Sequence, residues 1–144
     1  MANSKENETR GLTVKLISFG YKNGPPPQAN LVLDVRFLKN PYWEEHLRPL
    51  TGLDQPVREY VVTQKLAREA LGNLEKLLAG VLPAMLNVKA DTFVVALGCT
   101  GGQHRSTAMV QELADNLSAT YPDYRIEKEH RELANLEISE PISS

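Results

Sequence analysis

The run Gly98-Cys99-Thr100-Gly101-Gly102-Gln103-His104-Arg105-Ser106 follows an apolar stretch, Phe93-Val94-Val95-Ala96-Leu97, and precedes one in which Val110, Leu113 and Leu117 share a face. A buried strand passing through a glycine-rich turn into an amphipathic helix leaves few architectures open. The glycines at 98, 101 and 102 allow positive φ and close backbone approach. The amides of the turn and of the helix start would then converge on one spot, which suits a phosphate. Arg105 adds a planar fork of donors, and Thr100, Gln103, His104 and Ser106 add hydrogen-bonding side chains. A plain turn needs one or two glycines and none of these side chains. The run from Cys99 to Ser106, with Gly101 and Gly102 between, therefore reads as an anion-binding cradle. Cys99 alone would read as a small buried hydrophobe, yet a helix N-terminus and a nearby guanidinium are surroundings that make a thiol reactive.

Size and charge frame that cradle. The chain has 144 residues, 42% of them hydrophobic and 24% charged, enough to bury the core of one domain without a metal or disulfides. One cysteine excludes an internal disulfide framework, and no early apolar run resembles a signal peptide or a membrane span. The expected location is the cytoplasm, with no membrane partner. A formal net charge of −2 gives no general attraction to nucleic acid or anionic lipid. No cofactor or metal is expected.

Alternation of Leu12, Val14 and Leu16 with Thr13 and Lys15 predicts an early strand, broken by Asn23-Gly24-Pro25-Pro26-Pro27. Leu31-Val32-Leu33-Asp34-Val35 predicts a second strand. A helix is expected to start at Asp54 and Pro56, to carry Ala67, Leu71, Leu74 and Leu78 as its apolar stripe, and to close at Gly80 and Pro83. A last short strand is expected near Tyr124 to Lys128. Strands separated by helices imply a single small α/β domain, with a mixed or mostly parallel sheet whose ligands gather beyond the strands' carboxyl ends. The expected layout is a disordered N-terminus over 1–10, the domain over 11–135 and a flexible tail over 136–144.

A second dense segment leaves the Leu31 strand: Asp34-Val35-Arg36-Phe37-Leu38-Lys39-Asn40-Pro41-Tyr42-Trp43, continuing to Leu50-Thr51-Gly52-Leu53-Asp54. Taken singly, Asp34 and Arg36 suit an ion pair and Asn40-Pro41 a turn. Taken together at a strand's carboxyl end, Asp34, Arg36, Asn40 and Thr51 are candidates for a second wall around the anion.

Those two segments, with Ile17-Ser18-Phe19-Gly20-Tyr21-Lys22, closely resemble the C-terminal domain of the RapZ family of RNase adapters, and His130-Arg131 matches that domain's late His-Arg pair. The resemblance runs from about Leu12 to Leu133. It implies a regulatory domain that binds a phosphorylated small molecule, such as a hexosamine phosphate, and is linked to RNA or protein partners. It also implies Tyr42 at the ligand and His130 and Arg131 at the rim. The resemblance to that domain alone implies a standalone adapter half, and no Gly-x-x-x-x-Gly-Lys-Ser/Thr pattern for nucleotide phosphates occurs in the chain. Enteric members carry His where this chain has Tyr42, which leaves the sugar open. They also end in a basic cluster that binds RNA, where this chain reads Glu132-Leu133-Ala134-Asn135-Leu136-Glu137. These charges leave room only for weak RNA binding. The protein partner and self-association are left open.

A rival reading comes from another class. Cys99, Gly102, Arg105 and Ser106 satisfy the Cys-x-x-Gly-x-x-Arg-Ser spacing of cysteine-dependent phosphatases. That chemistry would make Cys99 the nucleophile and Arg105 the holder of the phosphoryl oxygens. It would also need Asp34 or Asp54 to protonate the leaving group. Gly98 stands where many such enzymes carry His, and the rest of the chain matches the adapter domain. A binding role without catalysis is therefore the primary expectation.

Overall fold

The computed structural model describes residues 11–133. The expected disordered N-terminus and flexible tail lie outside the described residues. Four strands, β1 (Thr13–Gly20), β2 (Leu31–Asp34), β3 (Thr92–Cys99) and β4 (Arg125–His130), form one sheet in the order β2-β3-β1-β4. Every pairing is parallel. Among the described residues, three helices of eight residues or more accompany the sheet: α1 (Gln55–Val62), α2 (Lys65–Asn87) and α3 (Arg105–Thr120). None of the described helices is long and apolar enough to cross a membrane.

Period two decides which strand residues face the helices. Val14, Leu16, Val95 and Leu97 join Val57, Val61, Leu71, Leu78, Leu82, Leu113 and Leu117 in one core, all buried. Burying each such side chain contributes about 1.5–3 kcal/mol before conformational entropy is counted. A small cluster of Ile17, Phe19 and Ala96 buries against Tyr21, Ala29 and Val94. It includes residues of the β1–β2 connection.

Two helix expectations change. The single helix expected from Asp54 onward is two, broken where Gln64 adopts extended backbone (φ −63°, ψ 140°). The Gln64 amide exchanges hydrogen bonds with both backbone groups of Lys39, an anchor outside the helix that competes with local continuation. At the other end, α2 does not stop at Gly80 or Pro83 but continues to Asn87. Pro83 sits on the exposed side, where the carbonyl it leaves unpaired can meet water, while Leu78 and Leu82 stay packed inside. The last strand also runs two residues beyond the expected Lys128, which places His130 beside Ser18 of β1.

Chain direction sets the location of the site. The exit from β1 passes over β3 to reach β2, and the exit from β3 passes over β1 to reach β4. Adjacent strands whose connections leave in opposite directions open a crevice at their carboxyl ends.

Candidate functional site

That crevice holds a cavity of about 200 Å³ lined by Lys22, Asn40, Tyr42, Cys99, Thr100, Gly101, Gln103, His104 and Arg105. Its floor is the turn between β3 and α3. Of the three glycines there, only Gly102 uses the left-handed region, at φ 77°. A Cβ on Gly102 would also lie 2.4 Å from Glu132 Cγ and 2.7 Å from the Gly20 nitrogen, so the turn rests directly on the end of β1. Gly98 lies within β3 and leaves room for the Phe19 ring.

Cys99 closes the bottom of the cavity and is 2% exposed. The amides of Gly102 and Ser106 donate to its sulfur at 3.3 and 3.4 Å, and the Ser106 hydroxyl lies 3.2 Å away. Two of the amides expected to converge on an external anion are thus aimed at the thiol. Ser106 is fully buried behind it, with its hydroxyl also donating to the Phe19 carbonyl.

Arg105 is 6% exposed and is held from one side. Its Nη1 donates to the carbonyls of Arg36 (2.9 Å) and Leu38 (3.1 Å), and its Nη2 reaches the Thr100 hydroxyl at 3.4 Å. Its Nε is buried without a hydrogen-bond partner among the described residues. A buried donor left unpaired costs about 1–3 kcal/mol. The Nε–Nη2 edge of a guanidinium is one of those that can take two oxygens of an oxyanion.

Gln103 and His104 hold the wall. Gln103 Nε2 donates to the carbonyls of Arg48 and Leu50, and His104 Nε2 donates to that of Leu47. Burial pushes the His104 pKa below its ordinary value, so the ring is neutral near pH 7. Asn40 starts the single helical turn Pro41–Trp43 by accepting from the Tyr42 amide at 3.0 Å. Tyr42 is 55% exposed, with the Arg48 guanidinium 5.0 Å from its ring centroid.

Other candidates are placed elsewhere. Asp34 and Arg36 form an ion pair at 2.6 Å, and the Arg36 guanidinium stacks on Tyr21 at 4.2 Å; neither lines the cavity. Hydrogen bonding from Arg36 holds the Asp34 carboxyl below the ordinary carboxylate range, which makes it a poor proton donor. Thr51 closes a local turn, its hydroxyl accepting from the Leu53 amide and its own amide donating to Asp54. His130 lies among Ser18 (2.7 Å) and Gln111 (2.9 Å), and burial lowers its pKa to about 4. Arg131 donates to the carbonyls of Pro25 and Gly20 and packs over Phe19. With the buried Glu132, which accepts from the Gly20 amide, it braces the end of β1 under the cradle.

Lys22 lines the cavity although no feature of its own segment singled it out as a ligand. Its amide donates to the Thr100 carbonyl and the neighbouring Asn23 side chain to that of Gly101, docking the exit of β1 onto the cradle. The signal was indirect: if β1 and β3 pair in parallel, residues just past Gly20 must stand beside residues just past Cys99.

Comparison with known proteins matches residues 12–134 to a family model described as the RapZ C-terminal domain. A protein named as nucleotide-binding from Cutibacterium acnes is 46% identical over 128 residues, covering 89% of this chain and 43% of the relative. Another from Alkalilimnicola ehrlichii is 47% identical over 128 residues (89% and 44%), and one from Geobacillus thermodenitrificans is 46% identical over 123 residues (85% and 40%). The chain thus spans less than half the length of these relatives.

Proposed function

The chain belongs to the RapZ C-terminal domain family, and from that premise we propose that it is a regulatory adapter-type domain whose crevice binds the phosphate of a small phosphorylated metabolite. The observation that carries the reading is Arg105. A guanidinium 6% exposed, fixed through Nη1 and unpaired at Nε, lines a cavity beside a second cation, Lys22. A bound oxyanion would satisfy that edge and neutralise both charges. Sugar phosphates, hexosamine phosphates among them, are the class to test. In this reading Cys99, Thr100, Gly101 and Arg105 touch the phosphate, and Lys22, Asn40 and Tyr42 face the rest of the ligand. Gln103 and His104 hold the wall, and Arg131 braces the turn from behind.

Nucleotide binding belongs to the names of relatives more than twice as long and is not carried over. The phosphatase alternative finds less support: among the described residues no carboxylate lines the cavity, and Asp34 and Asp54 are engaged with Arg36 and the Thr51 amide. The same reading places the protein in the cytoplasm and gives RNA a weak, salt-dependent role.

Isothermal titration with inorganic phosphate and phosphomonoesters tests the reading. Saturable heat, with the esters competing against phosphate, is expected. Absence of binding by phosphate and by every ester at millimolar concentration refutes it.

A further inference from the structure

This inference rests on the phosphate reading above and concerns what aims Arg105. The carbonyls that hold its Nη1, those of Arg36 and Leu38, belong to the segment 35–40 between β2 and the turn Pro41–Trp43. Their positions depend on whatever ties that segment's backbone down. One tie is at its start, where the Val35 amide donates to the Gly98 carbonyl at 2.8 Å. Another is at its far end and comes from a side chain. The Lys39 amide donates to Gln64 Oε1 at 2.9 Å, and Gln64 Nε2 donates back to the Lys39 carbonyl at 3.2 Å. The same Nε2 donates to the Tyr60 carbonyl of α1, also at 3.2 Å. Gln64 does not line the cavity, yet it grips the residue between Leu38, whose carbonyl holds Arg105, and Asn40, which does line it.

Local structure asks for a different residue there. Gln64 is the N-cap of α2, and its side chain makes no hydrogen bond to that helix, where Ser, Thr, Asp or Asn would cap it. The glutamine amide serves the segment 35–40 instead. We propose that Gln64 is a positioning residue for the anion site, acting through the Lys39 backbone on the two carbonyls that aim Arg105. Bonds to both backbone groups of one residue fix the height and the tilt of that stretch of chain. Without them the segment is tied at Val35 and by the buried Leu38 side chain. Arrangements in which the carbonyls of 36 and 38 leave Nη1 then become populated, and affinity falls with the fraction of molecules that keep Arg105 aimed. Losing about one neutral hydrogen bond's net worth from the clamp weakens anion binding about three- to tenfold.

The test separates position from stability. Gln64→Asn is too short to hold both backbone groups of Lys39 but is a favoured N-cap for α2, so it should keep the fold while releasing the segment. Gln64→Met keeps the length and loses every hydrogen bond. Thr63→Val is the control at the same joint: it removes a hydroxyl that bonds the Glu59 carbonyl within α1 and touches nothing in the segment 35–40. Calorimetric titration of the full chain with inorganic phosphate reads affinity, and ¹⁵N NMR of the Arg105 side chain without ligand reads its anchoring. Both Gln64 variants should bind phosphate about three- to tenfold more weakly and move the Arg105 signals, with Thr63→Val matching wild type in both. Should Gln64→Met fail to fold, Gln64→Asn carries the test. Wild-type affinity in the folded Gln64 variants, an equal loss in Thr63→Val, or a loss with the Arg105 signals unmoved overturns the inference and leaves the phosphate reading standing. Failure of the wild-type chain to bind phosphate overturns that reading and the inference with it.

Discussion

Replacing Arg105 by alanine should act twice, and the two effects separate in one experiment. Without ligand, the substitution strips the Leu38 and Arg36 carbonyls of their donor, the first of these bonds being buried. Leaving such groups unpaired costs about 1–3 kcal/mol, which in a domain of this size lowers Tm by roughly 4–12 °C. Toward an anion, the loss of a charged donor should weaken binding by about 1.5–3 kcal/mol, or roughly ten to a hundred and fifty times. At a ligand concentration of about one hundred times the wild-type Kd, stabilisation of about 2.7 kcal/mol should then shrink to about 0.3–1.4 kcal/mol. The quantity to read is therefore each protein's own shift on adding phosphate, measured by differential scanning calorimetry. Arg105→Lys keeps the charge but loses the fork, and should fall between. A ligand-induced shift in Arg105→Ala equal to that of wild type would remove Arg105 from the site, however far the ligand-free Tm had dropped.

His130 binds its proton less readily when folded, with a pKa of about 4 against an ordinary 6.5, so its contribution is full above pH 6.5 and is lost as pH falls toward 4. Allowing for the ring's partial exposure, the loss is on the order of 1–3 kcal/mol; urea midpoints between pH 7 and 4 should decline less in His130→Gln, and parallel curves would refute this. A generic aryl phosphate should show no turnover, and hydrolysis that vanishes in Cys99→Ser while phosphate binding persists would replace the binding module with a phosphatase. Gel-shift titration with a structured small RNA at physiological salt should give at most the roughly 10⁻⁴–10⁻⁶ M typical of non-specific association. Nanomolar binding that survives competitor RNA would reveal a basic surface that net charge conceals.

What could be read from the chain depended on how local the determinant was. The β3–turn–α3 unit was legible because its strand, its glycines and its helical stripe lie within one short stretch, and an α/β layer follows from it. Strand order was not, because parallel pairing joins residues far apart: Gly20 meets Cys99 through register rather than through any local signal. The same distance explains Lys22, whose place at the cavity depends on β1 lying next to β3, and Gln64, whose bonds to Lys39 break a helix that periodicity alone would continue. Charged side chains proved harder to place than apolar ones, because each has several neighbours able to claim it. Arg36 is taken by Asp34 and Tyr21, while Arg105, a residue that sequence treats as the same type, is anchored by two backbone carbonyls and left open at Nε. The difference lies in the carbonyls at 36 and 38, which turn one arginine inward and leave its Nε without an acceptor among the described residues. A site built this way is tuned by backbone position, so substitutions that shift the segment from Val35 to Leu38 should weaken anion binding without touching any ligand-contacting side chain.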